Sequence, residues 1–119
     1  MLATPYRIKK SGDFKIVTTD GRRVDRPWYT VFVYDRADDE YPRFGFVIST
    51  KISKLATQRN RLKRVFEDTV RHNVKDFPKG LDLVFLVKTS ITKIITDDIQ
   101  RDINDLFANT DFERVVYRR

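Results

Sequence analysis

The sequence predicts an α+β chain in which a sheet is covered by helices on at least one face. Two segments read as strands. "WYTVFVY", from Trp28 to Tyr34, is β-branched and aromatic throughout, and "LDLVFLV", from Leu81 to Val87, is a nearly continuous apolar run suited to a buried strand. Between them, Leu62, Val65, Phe66, Thr69 and Val70 recur at helical spacing and predict a long amphipathic helix.

The other elements follow from local signals. Ser11 stands as an N-cap, Asp13 falls in the first turn, Phe14 and Val17 are three apart, and Gly21 lies beyond the end, so Ser11 to about Asp20 reads as a short helix. After the aromatic strand, the acidic "DRADDEYP" reads as a loop into a second strand, Arg43 to Ser49, and the two strands are expected to form a hairpin with a long connection. "FPKG" ends the long helix, and Thr96 caps a last helix carrying Ile99, Ile103, Leu106 and Phe107. The residues thus give the order α-β-β-α-β-α. In 119 residues there are no internal repeats, no low-complexity tract and no Pro/Gly-rich linker, so a single domain over 1–119 is expected.

Composition narrows the function. Twenty-four Lys and Arg against seventeen Asp and Glu give a net charge of +7, the footprint of a partner for polyanions, with nucleic acid first among them. An anionic membrane surface is the rival, but it calls for an amphipathic helix with a broad exposed apolar face, and none is evident outside segments a core would claim. No apolar run reaches the ~18 residues of a spanning helix, and "MLATPYRIKK" lacks the apolar stretch of a secretory signal, so a cytoplasmic location is expected. The absence of Cys excludes a disulfide framework and a thiolate zinc site. His72 is the only histidine and has no nucleophile or metal motif around it, and the four glycines form no phosphate-cradling pattern. Asp35, Asp38, Asp39 and Glu40 lack regular ligand spacing for Mg2+. No catalytic or metal-binding residue is assigned; another component is expected to perform any reaction this chain serves.

The stretch "KISKLATQRNRLKR", Lys51 to Arg64, carries six Lys or Arg residues in fourteen positions and no acid. With a helix beginning near Ser53 or Thr57, Asn60, Arg61 and Arg64 fall opposite Leu62 and Phe66, with Lys54 near the same side. Cations at spacings of three and four suit consecutive phosphates, the Arg fork can grip one bidentately, and the helix N-terminus adds positive potential. Arg59 falls toward the apolar sector, where it either snorkels at the edge or makes a structural pair. A charged stripe is most often a solvated face. The missing acids, the Asn within the run and its start just after a strand favour a polyanion. On the aromatic strand, Trp28, Thr30, Phe32 and Tyr34 share one face and Tyr29, Val31 and Val33 the other. If the first helix covers its face incompletely, Phe32 and Phe14 line a groove where unpaired bases stack; packing of both faces by helices is the competing reading.

The same residues resemble the signature of the bacterial ribonuclease P protein family. That signature is a strand ending in Ser-Lys-Lys or a variant, here Ser49, Thr50 and Lys51, then Arg-Asn-Arg, a hydrophobic residue and Lys-Arg, here Arg59, Asn60, Arg61, Leu62, Lys63 and Arg64. The likeness extends to "RIKKSGDFKIV" upstream and to "GLDLVFLVK" and the final helix downstream. It implies an α-β-β-β-α-β-α sandwich with a mixed sheet and a left-handed β-α-β crossover (ribosomal protein S5 domain 2-like), an exception to the usual right-handed rule. It also implies that an RNA subunit removes the 5′ leader of precursor tRNA with Mg2+, while the protein, one copy per RNA, binds that RNA and the leader. By position, Lys51, Lys54, Arg59, Asn60, Arg61, Lys63 and Arg64 would face the catalytic RNA, and Phe14, Phe32, Ser49 and Lys88 would line the leader cleft. Three departures stand out: Thr18 replaces a common aromatic, Thr50 replaces the first Lys of the pair, and Lys88 replaces a commoner Arg. A general or ribosomal RNA-binding protein of similar fold is the alternative, and a nuclease acting through the acidic loop is a third reading.

Overall fold

A computed structural model describes residues 2–117. Its elements are α1 (Ser11–Asp20), β1 (Arg22–Asp25), β2 (Tyr29–Asp35), β3 (Arg43–Val47), α2 (Ala56–Asn73), β4 (Leu81–Val87), α3 (Thr96–Asn109) and α4 (Phe112–Tyr117), with short 3-10 segments at Thr4–Tyr6 and Thr89–Lys93. Ser11 and Thr96 are the first helical residues rather than caps; Lys10 and Ile95 hold the N-cap positions, with no side-chain cap at either.

The four strands lie in the order β1-β2-β4-β3, antiparallel except for the parallel pair β3 and β4. The hairpin expected between the aromatic strand and the Arg43 strand is therefore not formed, because β4 lies between them. Burial explains why: Val84 and Phe85 are both fully buried, so β4 needs cover on each face and a neighbour on each edge. Charge reinforces the order. Asp82 of β4, 2% exposed, receives Arg43 from β3 at 2.9 and 2.7 Å and also accepts from Arg36, which follows β2. One buried carboxylate serving arginines from both sides fixes its strand in the middle. β3, left at the edge, is joined on its outer side by the N-terminal segment, where the Ile8 N–H donates to the Phe44 carbonyl at 3.0 Å. The crossover implied by the resemblance is β3–α2–β4, adjacent parallel strands joined through the long helix.

The two faces of the sheet are covered unequally. On one, Tyr29, Val31, Val33, Leu83 and Phe85 pack against apolar residues of α2, α3 and α4. The rings of Tyr29, Phe66 and Phe85 lie 5.5 to 5.6 Å apart at its centre. On the other face α1 and Ile8 of the N-terminal segment give the cover, burying Val17 and Ile8 with Val84 and leaving Phe14, Phe32, Tyr34 and Val47 half-buried. The alternation along β2 is the expected one except at Trp28, which precedes the strand and packs against the larger core. The connection from α2 to β4 closes at Gly80, whose φ of +82° is open to glycine and strained for other residues. Among the described residues no helix is long and apolar enough to cross a membrane.

Candidate nucleic-acid interface

The basic run divides when it folds. Ahead of α2, the Ser53 hydroxyl accepts from the Leu55 N–H at 3.1 Å and donates to Gln58 at 2.5 Å, while the Ser53 carbonyl accepts from Arg59 at 2.7 Å. Arg59 thus makes a structural pair that ties the loop carrying Lys51 and Lys54 to the helix. Asn60, Arg61, Lys63 and Arg64 are exposed, as are Lys51 and Lys54. Asn60, Arg61 and Arg64 line a groove of 530 Å³ shared with Thr96 and Gln100 of α3, and Arg61 donates to the Thr96 hydroxyl at 2.9 Å. Lys63 turns the other way. It lies 3.9 Å from Glu67 and lines a hollow with Arg7, Lys9 and Phe14 at the β3 edge. Glu67 is buried on α2 and accepts the Leu2 N–H at 3.2 Å, with Arg7 at 3.8 Å, so it anchors the N-terminal segment.

On the opposite face, Asp13 and Phe14 fix α1 against β3. Asp13 meets Arg43 at 3.4 Å, and the Phe14 ring lies directly on Gly45, where a Cβ would come within 2.4 Å of a ring carbon. The helix ends as the Gly21 N–H donates to the Val17 carbonyl at 2.9 Å. This path covers only part of the sheet. By alternation Leu86 shares the face of Val84; it lies between Thr30 and Val47 in register and is still 40% exposed. Phe14 and Phe32 therefore meet in one half-covered apolar cluster beside that opening. Ser49 and Lys88 follow the C-terminal ends of the adjacent parallel strands β3 and β4, where Val47 stands opposite Leu86. The Lys88 ammonium donates to the Arg26 carbonyl at 2.8 Å, which leaves it further N–H groups to offer. Thr18 turns its hydroxyl back to the Phe14 carbonyl at 3.0 Å, so α1 presents no second ring there. Gly45 and Thr96 are absent from the sequence-based site. A lone glycine inside a strand signals a close approach, whereas nothing at Thr96 distinguishes it from a cap.

The acidic loop is organised around arginine. Arg36 donates to Asp38 at 2.9 and 3.0 Å and to the Tyr41 carbonyl at 2.8 Å, and its guanidinium holds the Asp38 carboxyl below the ordinary range. Asp35 accepts the N–H of Ala37, which turns through a φ of +59°. Among the described residues no three His, Asp or Glu side chains come together as a group that could hold a metal ion.

The family model described as Ribonuclease P matches residues 2–111. The ribonuclease P protein component of Fusobacterium nucleatum is 32% identical over 107 residues, which cover 87% of this chain and 95% of that protein. The solved RNase P protein of Staphylococcus aureus is similar in structure, with a TM-score of 0.78 at 23% identity over 87% of this chain and 93% of that one. The solved protein from Thermotoga maritima gives 0.76 at 24% identity over 88% and 97%. Both structures share this mixed four-stranded sheet and its helices. A relative of this identity along nearly its whole length, a family model spanning most of the chain and a common fold all lead to one conclusion: the chain belongs to the ribonuclease P protein family, the protein component of the ribonucleoprotein endoribonuclease that matures tRNA 5′ ends.

Proposed function

We propose that the chain serves ribonuclease P through two surfaces. The exposed cations around the start of α2, Lys51, Lys54, Arg61 and Arg64 with Asn60, bind the catalytic RNA. The part of the sheet left open by α1, flanked by Phe14 and Phe32 and ending at Ser49 and Lys88, takes the single-stranded 5′ leader of precursor tRNA. Arg59 contributes by holding the loop of Lys51 and Lys54, and Lys63 lines the hollow beside Phe14 rather than the Arg61 groove. The observation that carries this reading is the incomplete cover of the α1 face: a sheet surface with the half-buried rings of Phe14, Phe32 and Tyr34 and an exposed Leu86 lies beside Lys88 at the end of β4. Aromatic faces stack on bases without regard to sequence, as a leader of variable sequence requires. Only the precursor carries a leader, so this surface favours substrate over product.

Hydrolysis belongs to the RNA, which uses Mg2+ for charge stabilisation. The protein's cations neutralise phosphates where the two RNAs approach and lower the Mg2+ concentration at which they stay together. One copy acts per RNA, in the cytoplasm. The test is leader removal from a 5′-extended precursor tRNA by the organism's ribonuclease P RNA at low Mg2+, with the protein, without it, and with the protein alone. Strong stimulation by a protein that is itself inactive is expected. No stimulation of an RNA shown to be competent at high Mg2+ would overturn the proposal.

A further inference from the structure

Arg61 is a cation of the α2 face that the fold ties to another helix. Its Nη1 donates to the Thr96 hydroxyl at 2.9 Å, across 35 positions of sequence. Thr96 is the first residue of α3, one position inside the N-cap residue Ile95, and no side chain caps this helix. The Thr96 hydroxyl instead accepts from Arg61. The Arg61 guanidinium, drawn toward α3, lines the groove between the helices with Asn60 and Arg64, and Gln100 forms the wall one turn beyond Thr96.

We infer that Thr96 is a positioning residue for RNA binding: it holds Arg61 in the groove between α2 and α3, so that the RNA surface extends onto α3. This rests on the reading of α2 as the RNA-binding helix. One N–H of the guanidinium is engaged by Thr96, and its remaining donors stay available for a phosphate. Arginine carries large rotamer entropy, and a side chain already held loses less of it on binding. The hydroxyl adds no charge of its own, so its effect on affinity differs in kind from that of the arginine.

The experiment measures affinity for the organism's ribonuclease P RNA across a salt series, using the full chain and its Thr96→Val, Thr96→Ser, Arg61→Ala and Thr96→Val/Arg61→Ala variants, with thermal unfolding as the folding control. Thr96→Val should weaken binding about threefold to tenfold, the scale of immobilising one long side chain, with the salt dependence unchanged. Thr96→Ser should restore affinity. Arg61→Ala should weaken binding and reduce the salt slope by about 1. In the Arg61→Ala background, Thr96→Val should have no further effect. A full, additive Thr96→Val loss in that background, or no loss in the parent chain, would overturn the positioning role while leaving α2 as the RNA surface. Unchanged affinity and salt slope in Arg61→Ala would overturn the reading of α2 itself.

Discussion

A side chain at position 45 would have to share space with Phe14, because a Cβ there meets the ring at 2.4 and 2.6 Å. The glycine thus sets how closely α1 approaches β3 and where one wall of the proposed leader cleft stands. Gly45→Ala should cost about 1–3 kcal/mol by overpacking and lower the preference of the holoenzyme for precursor over mature tRNA. Adding Phe14→Ala should recover much of the stability without recovering the preference, which thermal unfolding and tRNA binding would separate. An alanine variant equal to the parent in both measurements would mean that the ring moves without consequence. Arg59 depends instead on the loop ahead of its helix. Its position toward the apolar sector pointed to snorkelling or a structural pair, and only the path of the preceding loop decides between them, by bringing the Ser53 carbonyl within 2.7 Å.

Element boundaries were most legible where the pattern lies within the segment itself. Ser11–Asp20 and Leu81–Val87 match their expected limits, the first from its flanking signals and the second from its apolar run. β1 escapes a residue-by-residue reading because "RRVD" is four residues long and mostly charged, and its pairing is supplied by β2; an additional strand ahead of the long helix is expected only through the family resemblance. Strand order was illegible for another reason. Neighbours in sequence suggested a hairpin, whereas the burial of β4 and the double claim on Asp82 set adjacency through the tertiary structure. Asp82→Ala leaves Arg36 and Arg43 without their common carboxylate in a part-buried site and should destabilise the fold by roughly 2–4 kcal/mol. Urea unfolding would measure this, and a change below about 0.5 kcal/mol would mean that burial alone orders the strands.

For the whole molecule, the unequal cover of the sheet matters most. Three helices close one face, and α1, ten residues long, closes only part of the other. Alternation along β2 made the two faces legible, but which part stays open depends on the path of α1 over Gly45 and could not be read from residue types. Likewise, the basic run is legible as a stripe of charge, while its division into a groove against α3, a loop held by Arg59 and a hollow beside Phe14 emerges only from the fold. With RNA binding and leader binding proposed for separate surfaces, the most direct measurement takes both together. The chain, Phe14→Ala and the double variant Arg61→Ala/Arg64→Ala are each titrated with ribonuclease P RNA, and the assembled holoenzymes are then titrated with precursor and mature tRNA. Phe14→Ala should keep its affinity for the RNA and lose preference for the precursor, whereas the double variant should lose affinity for the RNA and, once saturated with it, keep the preference. Loss of both properties together in either variant would contradict the division into two surfaces.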